Sequence, residues 1–295
     1  MLKTGLIGHQ GLCGIELLKL LAVPPKLFLR DAPLDFSDID VLFMAISAEE
    51  TVPIAQKAID AGVIVIDMSS AFRTNPLLPL ILPPVNSHLI NNSLKIISLP
   101  NCIVSILLTT LSSLHTICPI KQLILSTYQA ASGAGKAGLI AISHDEVMPP
   151  FPYPLKDNLF NHESTQGKNG LCGEEEKIIF ETRKILNAPE LTISVRCVRV
   201  PVKRAHSIHV LTSFEQNIHN VDEILKQNPY ISLNPSPHPL LAEGQHQIFV
   251  SVRKDLGIKN TYDFWIVGDQ LLRGAALNAY EAYMHLCSLL SFKNS

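Results

Sequence analysis

The chain has 295 residues, a formal net charge of −2, 47% hydrophobic residues and only 17% charged residues. The length predicts two domains, or one domain with a large insertion, and the apolar fraction is sufficient for sizeable cores. The near-neutral charge gives no electrostatic reason to expect a nucleic acid or a membrane surface as partner.

Six cysteines are scattered along the chain without the Cys-x-x-Cys or Cys/His spacing of a zinc site, so we expect no metal centre. The pattern is typical of reduced thiols in a cytoplasmic protein and not of a disulfide framework. Apolar runs are interrupted well before ~18 residues, which argues against a transmembrane helix. The N-terminus lacks the basic region and cleavage site of a signal peptide.

The N-terminal segment has the order of a dinucleotide-binding unit. Thr4 to Ile7 predicts a short buried strand, a glycine-rich turn GHQGLCG follows at residues 8–14, and Ile15 to Leu21 predicts a helix. The glycines permit a tight turn and the close approach of backbone N–H groups to a pyrophosphate. Three glycines in seven residues also occur in ordinary turns, so the motif alone leaves both interpretations open.

The next segments alternate between strand and helix patterns. Asp40–Ala45 and Val63–Asp67 predict buried strands, with a helix between them over Ala48–Ala61. This alternation favours a parallel, doubly wound sheet. The second of these strands runs into the polar cluster DMSSAFR at residues 67–73, at a carboxyl end, where such sheets bind ligands. For Arg73 a solvated loop charge is the commoner alternative.

Cys102 follows a predicted strand, Lys95–Leu99, and begins an apolar run of helical length. Pro100 is disfavoured inside a helix and Asn101 is a good N-cap, which places Cys102 in the first turn. Unpaired N–H groups and the positive end of the helix dipole favour a thiolate there. The alternative is a small buried core residue, since cysteine is among the most buried residue types.

Beyond this helix the pattern changes. Gln122–Tyr128 predicts a strand, which is followed by the glycine-rich stretch QAASGAG at residues 129–135. Residues 147–173 are rich in proline, asparagine and glycine, as an active-site or interface loop would be. A helix is predicted from Gly173 to Leu186, with acidic residues in its first turn that capping alone could explain.

The last third of the chain predicts a second sheet. Leu191–Val202 and Ser207–Phe214 have the length and the single polar face of antiparallel strands. Leu272–Leu290 predicts a helix with alanines and leucines at core spacing, and we expect it to return to the first domain.

These segments, in this order, resemble the aspartate-β-semialdehyde dehydrogenase family over nearly the whole chain. The resemblance is carried by DMSSAFR (67–73), PNC (100–102), TYQAASGAG (127–135), EEEK (174–177) with ETRKIL (181–186), VRVPV (198–202) with AHS (205–207), and DQLLRGAALN (269–278).

The resemblance implies an α/β fold like that of glyceraldehyde-3-phosphate dehydrogenase. A Rossmann-type parallel-sheet domain is expected over residues 1–101 and 270–295, where it would bind the dinucleotide. Residues 102–269 would form an α+β domain with a mostly antiparallel sheet, which carries catalysis and dimerisation. A homodimer is expected, and tetramers also occur in the family.

The resemblance also assigns roles to residues of this chain. Cys102 would be the nucleophile, His206 the acid/base partner, and Gln129 would orient the reacting group. Arg199 would hold the substrate α-carboxylate in a bidentate fork, and Glu174 would take its α-ammonium. Phosphate would be bound by Arg73, Asn101 and Lys177. The cofactor would be bound by Gly8, His9, Gln10, Gly11, Leu12, Cys13, Ser132, Gly133 and Gln270.

The implied reaction is the NADPH-dependent reductive dephosphorylation of L-aspartyl 4-phosphate to L-aspartate 4-semialdehyde through a thioester on Cys102. It belongs to the biosynthesis of lysine by way of diaminopimelate, of threonine and of methionine. A thioester accepts hydride more readily than a carboxylate, and a histidine with a pKa near the operating pH can take and return a proton.

The cofactor region departs from the family pattern. Residues 22–39 are much shorter than usual, and only Leu27 to Arg30 are candidates for the strand and loop that recognise the adenosine ribose. NADP is therefore expected only because the family uses it, and NAD is not excluded. Arg30 is the sole basic candidate among these residues.

Two alternatives stay open. An enzyme like N-acetyl-γ-glutamyl-phosphate reductase shares the acyl-phosphate chemistry, although Gln129 and the set Glu174, Lys177 and Arg199 suit a free α-amino acid better. A non-catalytic paralogue would have lost cofactor binding, although a binding module has no need of Cys102 and its partners together.

Overall fold

The computed structural model describes residues 1–29, 32–254 and 257–291. The chain divides into two compact units, one formed by Met1–Asn101 with the residues from Ala275 onward, the other by Cys102–Gly274. All six cysteines are free thiols. Within the described residues, no helix combines the length and the apolar character needed to cross a lipid bilayer.

Twelve strands and nine α-helices lie in the described ranges. The strands are β1 (Thr4–Ile7), β2 (Lys26–Phe28), β3 (Val41–Met44), β4 (Ile64–Asp67), β5 (Ile96–Ser98), β6 (Ile120–Gln129), β7 (Phe160–Asn161), β8 (Thr192–Arg199), β9 (His206–Phe214), β10 (Ile231–Leu233), β11 (Ile248–Arg253) and β12 (Thr261–Gly268). The helices are α1 (Leu12–Leu20), α2 (Ala48–Asp60), α3 (Pro83–Asn86), α4 (Cys102–Ile117), α5 (Gly135–Ala141), α6 (Gly173–Leu186), α7 (Val221–Lys226), α8 (Pro239–Ala242) and α9 (Leu277–Ser291).

The first unit is built on a five-stranded sheet in the order β2-β1-β3-β4-β5, and every neighbouring pair is parallel. The central strands β1 and β3 are buried along their whole length, as expected for a sheet covered on both faces. The order confirms the Rossmann-type sheet. β2 is a three-residue strand in the shortened region, and Arg30, the basic candidate there, lies outside the described residues.

The C-terminal helix α9 belongs to this first unit. Three small residues on and just before it, Ala276, Ala279 and Ala282, lie in the same buried cluster as Leu6 of β1. The hydroxyl of Tyr283 donates to the Leu2 carbonyl oxygen at 2.9 Å. Small side chains on one face let a helix approach a sheet closely, so the alanine spacing accounts for the helix position.

The second unit is built on a seven-stranded sheet in the order β10-β11-β12-β9-β6-β8-β7. Its β10/β11 and β6/β8 pairs are parallel and the other four are antiparallel. This confirms the mostly antiparallel sheet. The strands β10, β11 and β12 were not predicted, because polar positions such as the buried Asp263, which accepts from Arg253 on β11, interrupt the apolar pattern.

The sheet of the second unit gathers the candidate site residues at one edge. Gln129 ends β6 and Arg199 ends β8, and the parallel register places them side by side. β9 runs antiparallel to β6, with Ser207 opposite Tyr128, so its first residue, His206, lies at the same edge. Strand direction alone thus brings together three residues that are up to 77 positions apart in the chain.

Candidate active site

Cys102 is the first residue of α4 and is partly exposed. A Cβ atom placed on Gly274 would lie 2.8 Å from the Cys102 Cβ and 3.3 Å from the Gln270 Cβ. Only glycine fits there, because a side chain would collide with the cysteine. The segment DQLLRG therefore packs directly against the candidate nucleophile, whose position in the first helical turn favours a thiolate.

His206 is completely buried, and its two ring nitrogens have different surroundings. Nδ1 accepts a hydrogen bond of 3.0 Å from the Ala130 backbone N–H, whereas Nε2 has no hydrogen-bond partner among the described residues. A nitrogen that accepts from an N–H carries no proton itself, so the neutral ring is protonated at Nε2. Burial, followed by the charge of Arg199, lowers the pKa of His206 well below its ordinary value.

Gly133 keeps the space beside Nε2 open. A Cβ at this position would lie 3.0 Å from Cε1 and 3.2 Å from Nε2 of His206, and 3.1 Å from Nη1 of Arg199. These distances are tighter than ordinary contacts. The missing side chain therefore leaves room for a ligand atom next to both the imidazole and the guanidinium.

A strained residue precedes His206 and is held by a buried amide. Ala205 has φ of +70°, which is unfavourable for a residue with a Cβ. Its N–H donates to Oε1 of Gln270 at 2.9 Å, and Nε2 of Gln270 donates to the Ser132 hydroxyl at 2.5 Å. Gln270 and Ser132, both predicted to bind the cofactor, thus fix the turn that presents His206.

Gln129 is almost fully buried at the end of β6, and its Nε2 lies 3.3 Å from the Thr127 hydroxyl oxygen that accepts from it. Its backbone oxygen accepts from the Val200 N–H at 3.1 Å. The side chain is thereby held beside the end of β8, where Arg199 lies.

Arg199 is 1% exposed, and its guanidinium is hydrogen-bonded to several neighbours. Its Nε and Nη2 donate to the two carboxylate oxygens of Glu163 at 3.2 and 2.7 Å, and Nη1 donates to the Ala130 carbonyl oxygen at 2.8 Å. Burial acts to raise the pKa of Glu163, but the hydrogen bonds and charge of Arg199 outweigh it and hold that pKa below the usual value.

His162 joins this pair. Its Nε2 lies 3.0 Å from Nη2 of Arg199, and its Nδ1 lies 3.1 Å from the Ser164 hydroxyl oxygen. Burial lowers the pKa of His162 below the ordinary value, so the ring is neutral at neutral pH.

The three consecutive glutamates at the start of α6 have three different environments. Glu174 is buried and lies 3.5 Å from the Lys177 ammonium, one helical turn further on. Glu175 uses its carboxylate to accept from the backbone N–H groups of Cys172 and Cys197 at 2.9 and 3.0 Å. Glu176 is exposed. Of the three, Glu174 is therefore the buried carboxylate that is not committed to these backbone bonds.

In the first unit, Arg73 stabilises the loop that follows β4 through hydrogen bonds to backbone carbonyl oxygens. Its Nε donates to the Leu99 carbonyl oxygen at 2.8 Å and its Nη2 to that of Met68 at 3.1 Å. Asp67, at the end of β4, accepts from the Ser69 N–H at 2.8 Å, and burial raises its pKa. Asn101 is buried at the end of the unit.

The glycine-rich turn after β1 has the geometry that a dinucleotide requires. Gly8 has φ of +88°, and a Cβ there would lie 2.2 Å from the Ala45 carbonyl oxygen. A Cβ on Gly14 would lie 2.3 Å from the Gly8 carbonyl oxygen. The turn therefore closes tightly onto the N-terminus of α1. This helix begins at Leu12, three residues earlier than the predicted Ile15.

A cavity of ≈ 440 Å³ adjoins this turn, and its walls include Gly8, His9, Gln10, Phe28 and Glu50. Nδ1 of His9 is buried and has no hydrogen-bond partner among the described residues, as expected where a ligand supplies one. The cavity and turn fit a nucleotide. No Lys or Arg is among the described residues that line it.

Three partners of the site were not predicted: His162, Glu163 and the backbone N–H of Ala130. The first two lie in the segment 147–173, whose irregular composition indicated an active-site or interface loop but named no residue. A backbone donor has no signature in the sequence.

Comparison with known proteins shows the family of the chain. Residues 26–93 match the model of the semialdehyde dehydrogenase NAD binding domain, and residues 111–273 match that of the semialdehyde dehydrogenase dimerisation domain. The aspartate-semialdehyde dehydrogenase of Synechocystis sp. is 35% identical over 83% of this chain and 78% of its own length. The chain belongs to the aspartate-semialdehyde dehydrogenase family.

Two further members of this family support the assignment. The aspartate-semialdehyde dehydrogenase of Prochlorococcus marinus is 36% identical over 85% of this chain and 78% of its own length. The structure of aspartate semialdehyde dehydrogenase II of Vibrio cholerae, in complex with ASA, superposes with a TM-score of 0.93 at 26% identity, over 98% of both chains. The family and the oxidoreductase class expected from the sequence are thus confirmed.

Proposed function

We propose that this chain catalyses the NADPH-dependent reductive dephosphorylation of L-aspartyl 4-phosphate to L-aspartate 4-semialdehyde through a thioester on Cys102. The observation that carries the proposal is the convergence of Gln129, Arg199 and His206 at one sheet edge, with Gly133 leaving space beside His206 Nε2. Membership of the family supplies the reaction class.

Recognition of the substrate as an α-amino acid rests on two buried charges. Arg199 is the candidate for the α-carboxylate, because a guanidinium offers parallel N–H groups that match a carboxylate. Glu174 is the candidate for the α-ammonium, since its two neighbouring glutamates are either bound to the backbone or exposed. Arg73, Asn101 and Lys177 remain the candidates for phosphate.

In the proposed reaction the Cys102 thiolate attacks the acyl carbon of the substrate. A C–S bond forms, the carbonyl electron pair moves to oxygen, and the C–O bond to phosphate then breaks to leave a thioester. The Nε2–H of His206 is available to donate to the oxyanion, and the Gln129 amide lies at the same edge. The neutral imidazole therefore acts first as a hydrogen-bond donor.

When bound, a nicotinamide cofactor would supply the hydride that reduces the thioester carbonyl. Breakage of the C–S bond to Cys102 would then release L-aspartate 4-semialdehyde and restore the thiolate. The residues proposed to hold it are Gly8 to Cys13, together with Ser132, Gly133 and Gln270. We propose NADP(H) as the preferred cofactor, because the family resemblance implies it. NAD(H) is the alternative, because the described part of the cavity offers no cation for a 2′-phosphate.

The proposal places the chain in the cytoplasm as a homodimer, in the pathway to lysine through diaminopimelate, threonine and methionine. The matched dimerisation domain supports an oligomer formed by the second unit. Sedimentation equilibrium tests the oligomeric state, and a monomer at micromolar concentration contradicts a dimer.

The function is tested by following the phosphate-dependent reduction of NADP⁺ by L-aspartate 4-semialdehyde, with NAD⁺ in parallel. We expect turnover that requires phosphate and is lost in Cys102→Ala, with the variant still folded. N-acetyl-L-glutamate 5-semialdehyde serves as the second substrate. If that compound is turned over faster, the chain is instead an enzyme like N-acetyl-γ-glutamyl-phosphate reductase. The absence of turnover with both substrates contradicts the proposal.

A further inference from the structure

Arg199 has almost no donor left for a ligand. Its Nε and Nη2 are taken by the two oxygens of Glu163, Nη2 also lies 3.0 Å from Nε2 of His162, and Nη1 donates to Ala130. A guanidinium carries five N–H groups, so these four contacts leave a single one, on Nη1.

A substrate carboxylate bound as a fork needs two parallel N–H groups on one edge of the guanidinium. The edge formed by Nε and Nη2 is occupied by Glu163, and His162 takes the Nη2 hydrogen that would serve the other edge. The observed arrangement therefore allows one hydrogen bond from Arg199 to a substrate carboxylate, and not two.

We propose that Glu163 is a displaceable internal carboxylate that fills the substrate-carboxylate position on Arg199 in the free enzyme and thereby sets the affinity for the α-carboxylate. This inference rests on the proposed role of Arg199. Substrate binding then exchanges one bidentate carboxylate for another, and the buried guanidinium is neutralised in both states. That exchange avoids the large cost of a buried, unpaired cation.

Of the two residues, Glu163 is the one better placed to move. Arg199 is fixed at the end of β8, between β6 and β7, and its side chain is 1% exposed. The Glu163 side chain is 13% exposed and lies on the connection between β7 and α6. That connection contains Gly167 and Gly170, the latter with φ of +79°, so the backbone there can adopt further conformations.

The charges around the pair fit an exchange with a zwitterion. Lys177 and Glu174 form a second pair close by on α6, and both act electrostatically on His162, as do Arg199 and Glu163. The four charges sum to zero, so an α-amino acid with one carboxylate and one ammonium enters without a change in net charge.

The test is the steady-state kinetics of Glu163→Gln, which keeps the size of the side chain but removes the charge that competes for Arg199. We expect the KM for L-aspartate 4-semialdehyde to fall by about threefold to tenfold with kcat little changed. Glu176→Gln is the matched control, since it removes the same charge from an exposed site on α6 and leaves KM unchanged.

Glu163→Asp is the second variant, in case the amide perturbs folding. It retains the carboxylate but draws it back by one methylene, and we expect a smaller fall in KM. 3-Aminopropanal, which lacks the α-carboxylate, should show no change in kcat/KM between wild type and Glu163→Gln. An unchanged or raised KM for L-aspartate 4-semialdehyde in Glu163→Gln overturns the proposal, whereas an inactive wild type overturns the proposed function instead.

Discussion

The backbone N–H of Ala130 donates to Nδ1 of His206 at 3.0 Å and so fixes which imidazole nitrogen carries the proton. The contact joins the QAASGAG stretch (129–135) to the start of β9, 76 residues further along the chain from Ala130. Protonating Nδ1 would place two N–H groups against each other. His206 is therefore suited to donate from Nε2 and poorly suited to exist as a cation. The family resemblance instead implied an acid/base partner with a pKa near the operating pH.

This arrangement predicts the protonation state directly. In ¹⁵N-labelled protein, the His206 ring should show the neutral Nε2–H tautomer from pH 8 down to pH 6. The measurement is a two-dimensional ¹H–¹⁵N spectrum of the imidazole groups, assigned with His206→Gln. A resonance that titrates near the ordinary value of 6.5, or an Nδ1–H tautomer, contradicts the structure.

The same burial predicts a pH dependence of stability. The folded pKa of His206 is lowered below that of the unfolded chain, so the unfolded state binds more protons as the pH falls below 6.5. The free energy of unfolding should therefore decrease from pH 7 to pH 5. Urea titrations should show a shallower decrease for His206→Gln, and equal slopes for both proteins would contradict the assignment.

Gly133→Ala should impair catalysis without unfolding the protein. Its Cβ would lie 3.0–3.2 Å from His206 and 3.1 Å from Arg199, in the space that the reacting group needs. We expect kcat/KM to fall by about tenfold to a hundredfold, from displacement of catalytic groups. Gly173→Ala is the control, because its Cβ would meet nothing nearer than 3.7 Å, and an equal loss in both variants would point to a general structural effect.

The nucleotide turn offers a matched pair of variants. Gly8 and Gly62 have φ of +88° and +85°, so alanine is similarly strained at both. At Gly8 the new Cβ also lies 2.2 Å from the Ala45 carbonyl oxygen, whereas nothing lies within 4 Å at Gly62. We expect Gly8→Ala to abolish NADPH binding in a fluorescence titration and Gly62→Ala to retain it. Unchanged NADPH binding by Gly8→Ala would show that the turn is not part of the cofactor site.

A second thiol is predicted to react with alkylating agents. Hydrogen bonds from the Cys197 thiol, then from Ser164 and the Glu175 N–H, lower the pKa of Cys172 to about 6, although burial opposes them. Cys172 is partly exposed. Iodoacetamide at pH 7 should therefore label Cys172 in the Cys102→Ala protein, and mass spectrometry should show that label vanish in Cys102→Ala/Cys172→Ser. An unlabelled Cys172 contradicts its lowered pKa.

Those elements that depend on local pattern were predictable from the sequence. The alternation of apolar strands and amphipathic helices up to Leu99 gave the parallel sheet, and the alanine spacing near Ala279 placed the last helix. Gln129, Arg199 and His206 lie together because of the directions of their strands. From the sequence, this proximity could be expected only through the family resemblance.

Those features that depend on long-range pairing were not predictable. β12 buries Asp263 and Thr261, and the polarity of these residues concealed an interior strand of the second sheet. Glu163 reaches Arg199 across 36 residues, and no spacing rule links a loop glutamate to a strand arginine. The tautomer of His206 depends on a backbone N–H, which every residue except proline carries.

The central claim is a covalent acyl intermediate on Cys102. The most direct measurement is rapid acid quenching of the enzyme with L-aspartyl 4-phosphate in the absence of NADPH, followed by peptide mass spectrometry. We predict an aspartyl mass on the peptide that contains Cys102, which disappears in Cys102→Ala and persists in Cys172→Ser. An acyl group found on Cys172 instead, or no acyl-enzyme while the same preparation turns over, would contradict the account.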